Sequence, residues 1–196
     1  DDVGKNVHGA GLCHRLRCEN SGFGTLPPSA RCLGTVNRNQ DRFMDIYDRI
    51  EKDHDTVRGL MTRMFDLKAT EKAKRRALFD ELQRELWAHQ KVEEAVFYAA
   101  LAKAREAKDE AAEGLNEHHV ISGLLDELNG MPDDGTAWEA KFKVMTELLQ
   151  HHLDEEEDEL FDEAREALPD SRAEELAALF EERKQHALEA LKPIAP

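Results

Sequence analysis

The chain has 196 residues, enough for one domain with a real core or for a domain plus an arm. Its 27 Lys and Arg stand against 42 Asp and Glu, and the resulting net charge of -15 repels phosphate backbones and acidic lipid surfaces, which excludes nucleic acid and membrane as expected partners. No apolar run approaches the length that spans a bilayer and no charged-then-apolar signal opens the chain, so a cytoplasmic location is expected.

Residues 1–40 read as an irregular N-terminal arm, with Gly4, Gly9, Gly11, Gly22, Gly24, Gly34 and the pair Pro27-Pro28 and no sustained helical period. Cys13, Cys18 and Cys32 all fall here. An odd count, with none in the helical body, argues against a disulfide framework, and with His8 and His14 they match no zinc spacing. Residues 1–43 hold six basic and four acidic groups against 21 and 38 in the remainder, so the acidity belongs to the helical body.

From Asp41 onward helix formers dominate. Phe43, Ile46, Tyr47, Ile50, His54, Val57, Met61 and Met64 follow the three-and-four spacing of one helix face. A second helix, with Thr70 as its expected cap, carries Leu78, Leu82, Leu86, His89, Glu93, Val96 and Phe97. A third, beginning beyond Asp109 to Gly114, turns Leu115, His118, Ile121, Leu125 and Leu128 inward. The turn NGMPDDG, residues 129–135, separates it from a fourth with Met145, Leu148, Leu149, His152, Glu156 and Leu160. After Leu168-Pro169 a shorter fifth, capped by Asp170 or Ser171, carries Leu176, Leu179, Phe180 and Leu188. Strand alternation is absent. The expected fold is all-α: an up-and-down four-helix bundle over 41–168, with a C-terminal helix over 170–192 packing on it or extending it.

The sequence repeats internally. DHDTVRGLM from Asp53 aligns with EHHVISGLL from Glu117 at an offset of 64, and HQKVEEAVFY from His89 aligns with HLDEEEDELF from His152 at an offset of 63. Each half supplies one lone His and one HxxxE, which is how a two-fold bundle would surround a central point. Of the doubled histidines, His118 and His152 share faces with apolar residues, whereas His119 and His151 share faces with acidic ones and turn to water. His8, His14 and His186 belong to no such pattern.

His54, His89, Glu93, His118, His152 and Glu156 are therefore the candidate metal ligands. Burying an ionised carboxylate without a partner costs several kcal/mol or more, and no Lys or Arg occupies the inward stripes close to these positions, so a cation is the natural compensation. Two imidazoles per ion with two bridging glutamates would hold two ions and leave positions for a bridging oxygen and an exogenous ligand. Mixed nitrogen and oxygen ligation without thiolate suits iron or manganese better than zinc. Tyr47, on the face of His54, is expected to pack in the core or to donate a hydrogen bond to a ligand on the metal.

DH at His54, HQKVEEAVFY, EHHVISGLL and HHLDEEEDELF, over about residues 44–168, resemble the hemerythrin-like family of His, His and Glu cation-binding domains. That resemblance implies a non-haem di-iron centre on the six candidate ligands, oxo- or hydroxo-bridged. It also suggests that the residues before Met44 are an extension. Two positions depart from the oxygen carriers of the family: Ser122 stands where their third helix supplies a further His, and their last carboxylate corresponds to Glu157, whereas Glu156 fits the repeat. A missing imidazole leaves an extra open position. The expected function is thus a di-iron protein that engages O2, peroxide or NO in oxidative stress, redox response or iron handling. The alternatives are a catalase-like enzyme that dismutates peroxide, an iron or redox sensor acting through metal-dependent folding, and an interaction bundle without metal.

Overall fold

A computed structural model describes residues 44–102, 104, 107–132 and 135–191. Among them the chain is all-α and contains no strand, as the period of its apolar residues predicts. Helix α1 is Ile46–Phe65, α2 Lys72–Glu93, α3 Lys108–Asn129, α4 Thr136–Glu155 and α5 Asp170–Ala190. Two of them do not stop at those ends. α2 runs through a π-helical turn, Glu94–Tyr98, into Ala99–Leu101, and α4 runs through a second, Glu156–Leu160, into Phe161–Ala167. The expected arm, with its cysteines, His8 and His14, and Phe43 lie outside the described residues.

Local chemistry sets the helix ends, not always where the sequence suggested. Asp45 caps α1, its Oδ1 accepting from the Asp48 N–H at 3.0 Å. Thr70 is not the cap of α2; that position falls to Glu71, which makes no side-chain cap bond. Pro169 takes the cap of α5 and places Asp170 in the first turn, where a carboxylate suits the positive end of the helix dipole. Trp138 fastens the turn between α3 and α4 by donating from Nε1 to the Leu128 carbonyl at 3.1 Å.

α1 packs on α2 and α3 on α4, giving two antiparallel hairpins that face each other, and α5 lies against α1 and α2. The core is divided. At one end Val57, Leu60, Leu82, Leu86, Ile121, Leu125, Met145 and Leu149 form one buried cluster with Phe79 and Trp138, whose rings meet edge to face at 5.4 Å. At the other end Ile46, Ile50, Phe97, Phe161, Leu176 and Phe180 form a second. His54, His89, His118 and Glu156 occupy chain positions between the two clusters on their helices, and Glu93 and His152 lie one residue past the edge of a cluster, so a polar layer interrupts the apolar interior.

The expectation for α3 fails at one position. Leu115 is 42% exposed, and its neighbour Gly114 faces inward instead. A Cβ at Gly114 would overlap the Tyr98 hydroxyl, so the inward position on that turn is held by the residue without a side chain and the large apolar residue is left outside. No helix among the described residues is long and apolar enough to cross a membrane.

Phe79 belongs to the cluster that contains none of the polar layer. Phe79→Ala is expected to lower stability by about 3–5 kcal/mol in urea denaturation, the range for deleting a buried aromatic ring, while leaving the metal content of the purified protein unchanged.

Candidate metal centre

Each of the four bundle helices delivers part of the polar layer. On α2 and α4 the HxxxE spacing puts imidazole and carboxylate on one helix face, and on α1 and α3 a lone His comes in from the opposite side. All six side chains are buried, none more than 3% exposed. The Nε2 atoms point to the centre. His118 Nε2 and His152 Nε2 stand 3.0 Å apart; Glu93 Oε2 lies 3.2 Å from His89 Nε2 and 3.4 Å from His118 Nε2. Glu156 Oε2 lies 3.4 Å from His54 Nε2 and 3.9 Å from His152 Nε2. Each glutamate thus spans one histidine of its own hairpin and one of the other.

The π-helical turns explain how ligands and core coexist on one helix. One begins directly after Glu93 and the other at Glu156. The wider π turn changes the roughly 100° per residue of an α-helix just beyond the ligand, and Val96, Phe97 and Tyr98 are all buried there. The aromatic residues then cover the site: Tyr98 stacks on His118 with centroids 5.5 Å apart, and Phe161, its counterpart in the repeat, lies parallel to His54 at 6.5 Å.

A second layer of carboxylates sits behind the imidazoles. His54 Nδ1 lies 2.6 Å from Glu157, His89 Nδ1 3.2 Å from Asp53, His118 Nδ1 3.3 Å from Glu94 and His152 Nδ1 2.8 Å from Glu117. An N–H donated outward on each ring fixes the tautomer that leaves Nε2 free to bind. Asp53, Glu94 and Glu117 carry no role in the sequence reading, and Glu157 enters it only as the place of the family's last carboxylate, although the signal of all four is there. They are the residue before each lone His and the residue after each HxxxE glutamate, repeated at the same offsets. Glu157 therefore supports His54 from behind, and Glu156 points inward.

The expectation of no inward cation is corrected here. Arg49 and Lys184 are buried, and both reach Asp53, Arg49 Nη1 at 2.6 Å and Lys184 Nζ at 2.5 Å; Lys184 comes from α5 and also lies 3.2 Å from Glu85. Arg58 binds Glu157 at 2.7 Å. These cations neutralise two of the outer acids, Asp53 and Glu157. The inner ones have no such cation: both oxygens of Glu93, both of Glu156, and Nε2 of His54 and of His89 are buried and make no hydrogen bond. A buried ionised carboxylate in that state costs several kcal/mol, and the donor set of imidazole nitrogen and carboxylate oxygen is one that first-row metals satisfy. The ligand atoms of His54, His89, Glu93 and Glu156 lie within 4.8 Å of one another, as do those of Glu93, His118 and His152. The residues fit a metal centre.

Without metal, the imidazoles and carboxylates compensate one another. Burial opposes the charged form of His89, but Glu93 and Asp53 outweigh it and hold its pKa at about 9. His118 is likewise held at about 9, against burial, by Glu93 and Glu94. Despite its own burial, Glu93 falls well below the usual carboxylate range because His89 and His118 face it, and Glu157 falls to about 2 under His54 and Arg58.

The remaining candidates fall outside this set. Tyr47 lines a cavity with Asp45, Arg165 and Asp170, and burial, opposed by Arg165, pushes its pKa up to about 12. It packs edge to face on Phe97 with centroids 6.0 Å apart. Ser122 donates to Gln90 Oε1 at 3.0 Å, and so satisfies a neighbour on α2 in place of supplying a ligand. His119, His151 and His186 are exposed.

Comparison with known proteins agrees with this geometry. The Hemerythrin HHE cation binding domain family matches residues 45–164. A solved structure of a hemerythrin HHE cation-binding domain-containing protein from Mycobacterium kansasii superposes with a TM-score of 0.66 at 25% identity, covering 75% of this chain and 89% of that one. No curated protein matches the chain.

The raised histidines set the pH response of metal-free protein. A histidine at about 9 in the fold and about 6.5 unfolded contributes stability that is complete below pH 6.5 and lost as pH rises through 9. Denaturation with chelator present should therefore show stability falling between about pH 6.5 and pH 9, and His89→Gln should flatten that slope.

Proposed function

The chain belongs to the hemerythrin HHE cation-binding domain family, and from that premise we propose that it is a non-haem di-iron protein that engages O2, peroxide or NO at an open iron position. His54 and His89 would hold one ion and His118 and His152 the other, with Glu93 and Glu156 bridging. The observation that carries this reading is the group His54, His89, Glu93 and Glu156, whose inward nitrogens and oxygens are buried without a hydrogen-bond partner, beside a second group of His118 and His152 that shares Glu93. Iron is favoured over zinc because the set offers only imidazole and carboxylate, and enough of both for a shell larger than four. When bound, iron would supply Lewis acidity and redox cycling.

The protein's own residues do the rest. Asp53, Glu94, Glu117 and Glu157 fix the ring tautomers, while Phe97, Phe161 and Phe180 line the apolar side and keep bulk water out. A cavity of about 20 Å³, bounded by Tyr98, His152, Glu156 and Leu160, leaves room beside the His118 and His152 end for something the size of one water, which is where a small exogenous ligand fits. The same geometry favours a second reading, in which metal occupancy is reported through the fold. The ligands come from all four bundle helices, so a bound ion cross-links the two hairpins.

Protein purified from iron-replete culture, or reconstituted anaerobically with Fe(II), is expected to carry about two iron ions per chain by elemental analysis. His89→Ala and Glu156→Ala should each lose most of that iron. Wild-type protein that takes up none would overturn the proposal. Oxygen release from added peroxide by the loaded protein separates turnover from simple binding. For the second reading, chelation should lower the melting temperature by several degrees or more; equal melting of the loaded and metal-free forms would sink it.

A further inference from the structure

Beside the small cavity the surface carries an unusual concentration of negative charge. Glu110, Glu113, Glu117 and Glu155 form its outer lining. Of these, Glu117 and Glu155 combine with His151, outside the six central residues, in a group whose ligand atoms lie within 4.8 Å of one another, and His151 Nε2 stands 3.2 Å from Glu155. On the inner side the same cavity is lined by Glu156, whose two oxygens are buried and without partners, and by Tyr98, 3% exposed, whose hydroxyl makes no hydrogen bond of good geometry. Glu117 connects the two levels, because its carboxylate belongs to the outer group and also accepts from His152 Nδ1 at 2.8 Å.

We propose that this rim is a loading port for a divalent cation, with Glu113, Glu117, His151 and Glu155 as a transient outer site that passes the ion inward to the His118 and His152 end. The proposal rests on the di-iron reading and adds its route of entry. A neutral diatomic gas needs no charges at its doorway. A divalent ion does, since its hydration shell cannot enter about 20 Å³ and must be exchanged for protein oxygens on the way. Carboxylates at the mouth attract the cation and repel anions, and burial together with the surrounding glutamates raises the Glu110 pKa, a sign of that concentrated field. On the inner wall the Tyr98 hydroxyl packs closely on Gly114, where any side chain would overlap the phenol oxygen.

The test is the anaerobic rate of Fe(II) uptake by the full-length metal-free chain, followed with a competing chromogenic chelator, alongside the iron content at equilibrium. Glu113→Gln combined with Glu155→Gln is expected to slow uptake about tenfold or more and to weaken its dependence on salt, with final iron content unchanged. His151→Ala should slow it less. Glu182→Gln with Glu189→Gln, exposed acids on α5, should leave the rate as it is. Wild-type loading with equal rates and equal salt dependence in the rim variants would overturn the port alone; wild-type protein that binds no iron would overturn the di-iron reading beneath it.

Discussion

Everything in this fold is arranged around the cost of keeping two carboxylates and four imidazoles in a dry interior. Left alone, Glu93 and Glu156 would each be a buried charge without a hydrogen bond. The bundle meets that cost in layers. Imidazoles surround the inner acids, outer acids hold the imidazoles, and Arg49, Arg58 and Lys184 hold two of the outer acids. The split core follows from the same constraint, because an apolar cluster continuous through the middle would leave no room for the polar layer, and the two clusters on either side anchor the four helices that carry it.

The repeat is two-fold in its ligands and unequal in its surroundings. Asp53 and Glu117 are counterparts, yet Asp53 is bound by two buried cations while Glu117 opens on an acidic rim. Arg58 supports Glu157; at the equivalent place in the other half stands Ser122, bonded to Gln90. One side of the centre is therefore closed and positively backed, and the other is negative and reached by a cavity. Two ions in such a site would be held in different fields, which suits a centre in which one ion anchors and the other exchanges.

Much of this was legible in the sequence. The three-and-four spacing of Leu82, Leu86, His89 and Glu93 is the core-facing stripe of α2, and the offsets of 63 and 64 paired the histidines and glutamates that the structure brings together. What escaped has physical reasons. Apolar periodicity assigns a helix face by its large residues, so it chose Leu115, whereas the close approach of Tyr98 requires Gly114. A π turn adds a residue that a strict 3.6-residue count does not contain, which is why Tyr98 did not stand out beside Val96 and Phe97. Lys184 reads as a surface residue because its charge is matched by Asp53 only after α1 and α5 meet, a pairing across 131 residues that no local pattern displays; Arg49 bonds Asp53 within α1, but its contacts with Phe180 and Glu181 of α5 are equally long-range.

That long-range pairing carries a lesson about where this domain ends. The family match stops at 164 and every metal-binding candidate lies within it, yet α5 supplies the ammonium that sits on the acid behind His89, and Phe180 lies 6.1 Å from that ring. A shortened fragment cut at the family boundary would keep all six donors and lose the wall against which one of them is braced. Five helices, not four, pack around the polar layer, and the family match covers only the first four.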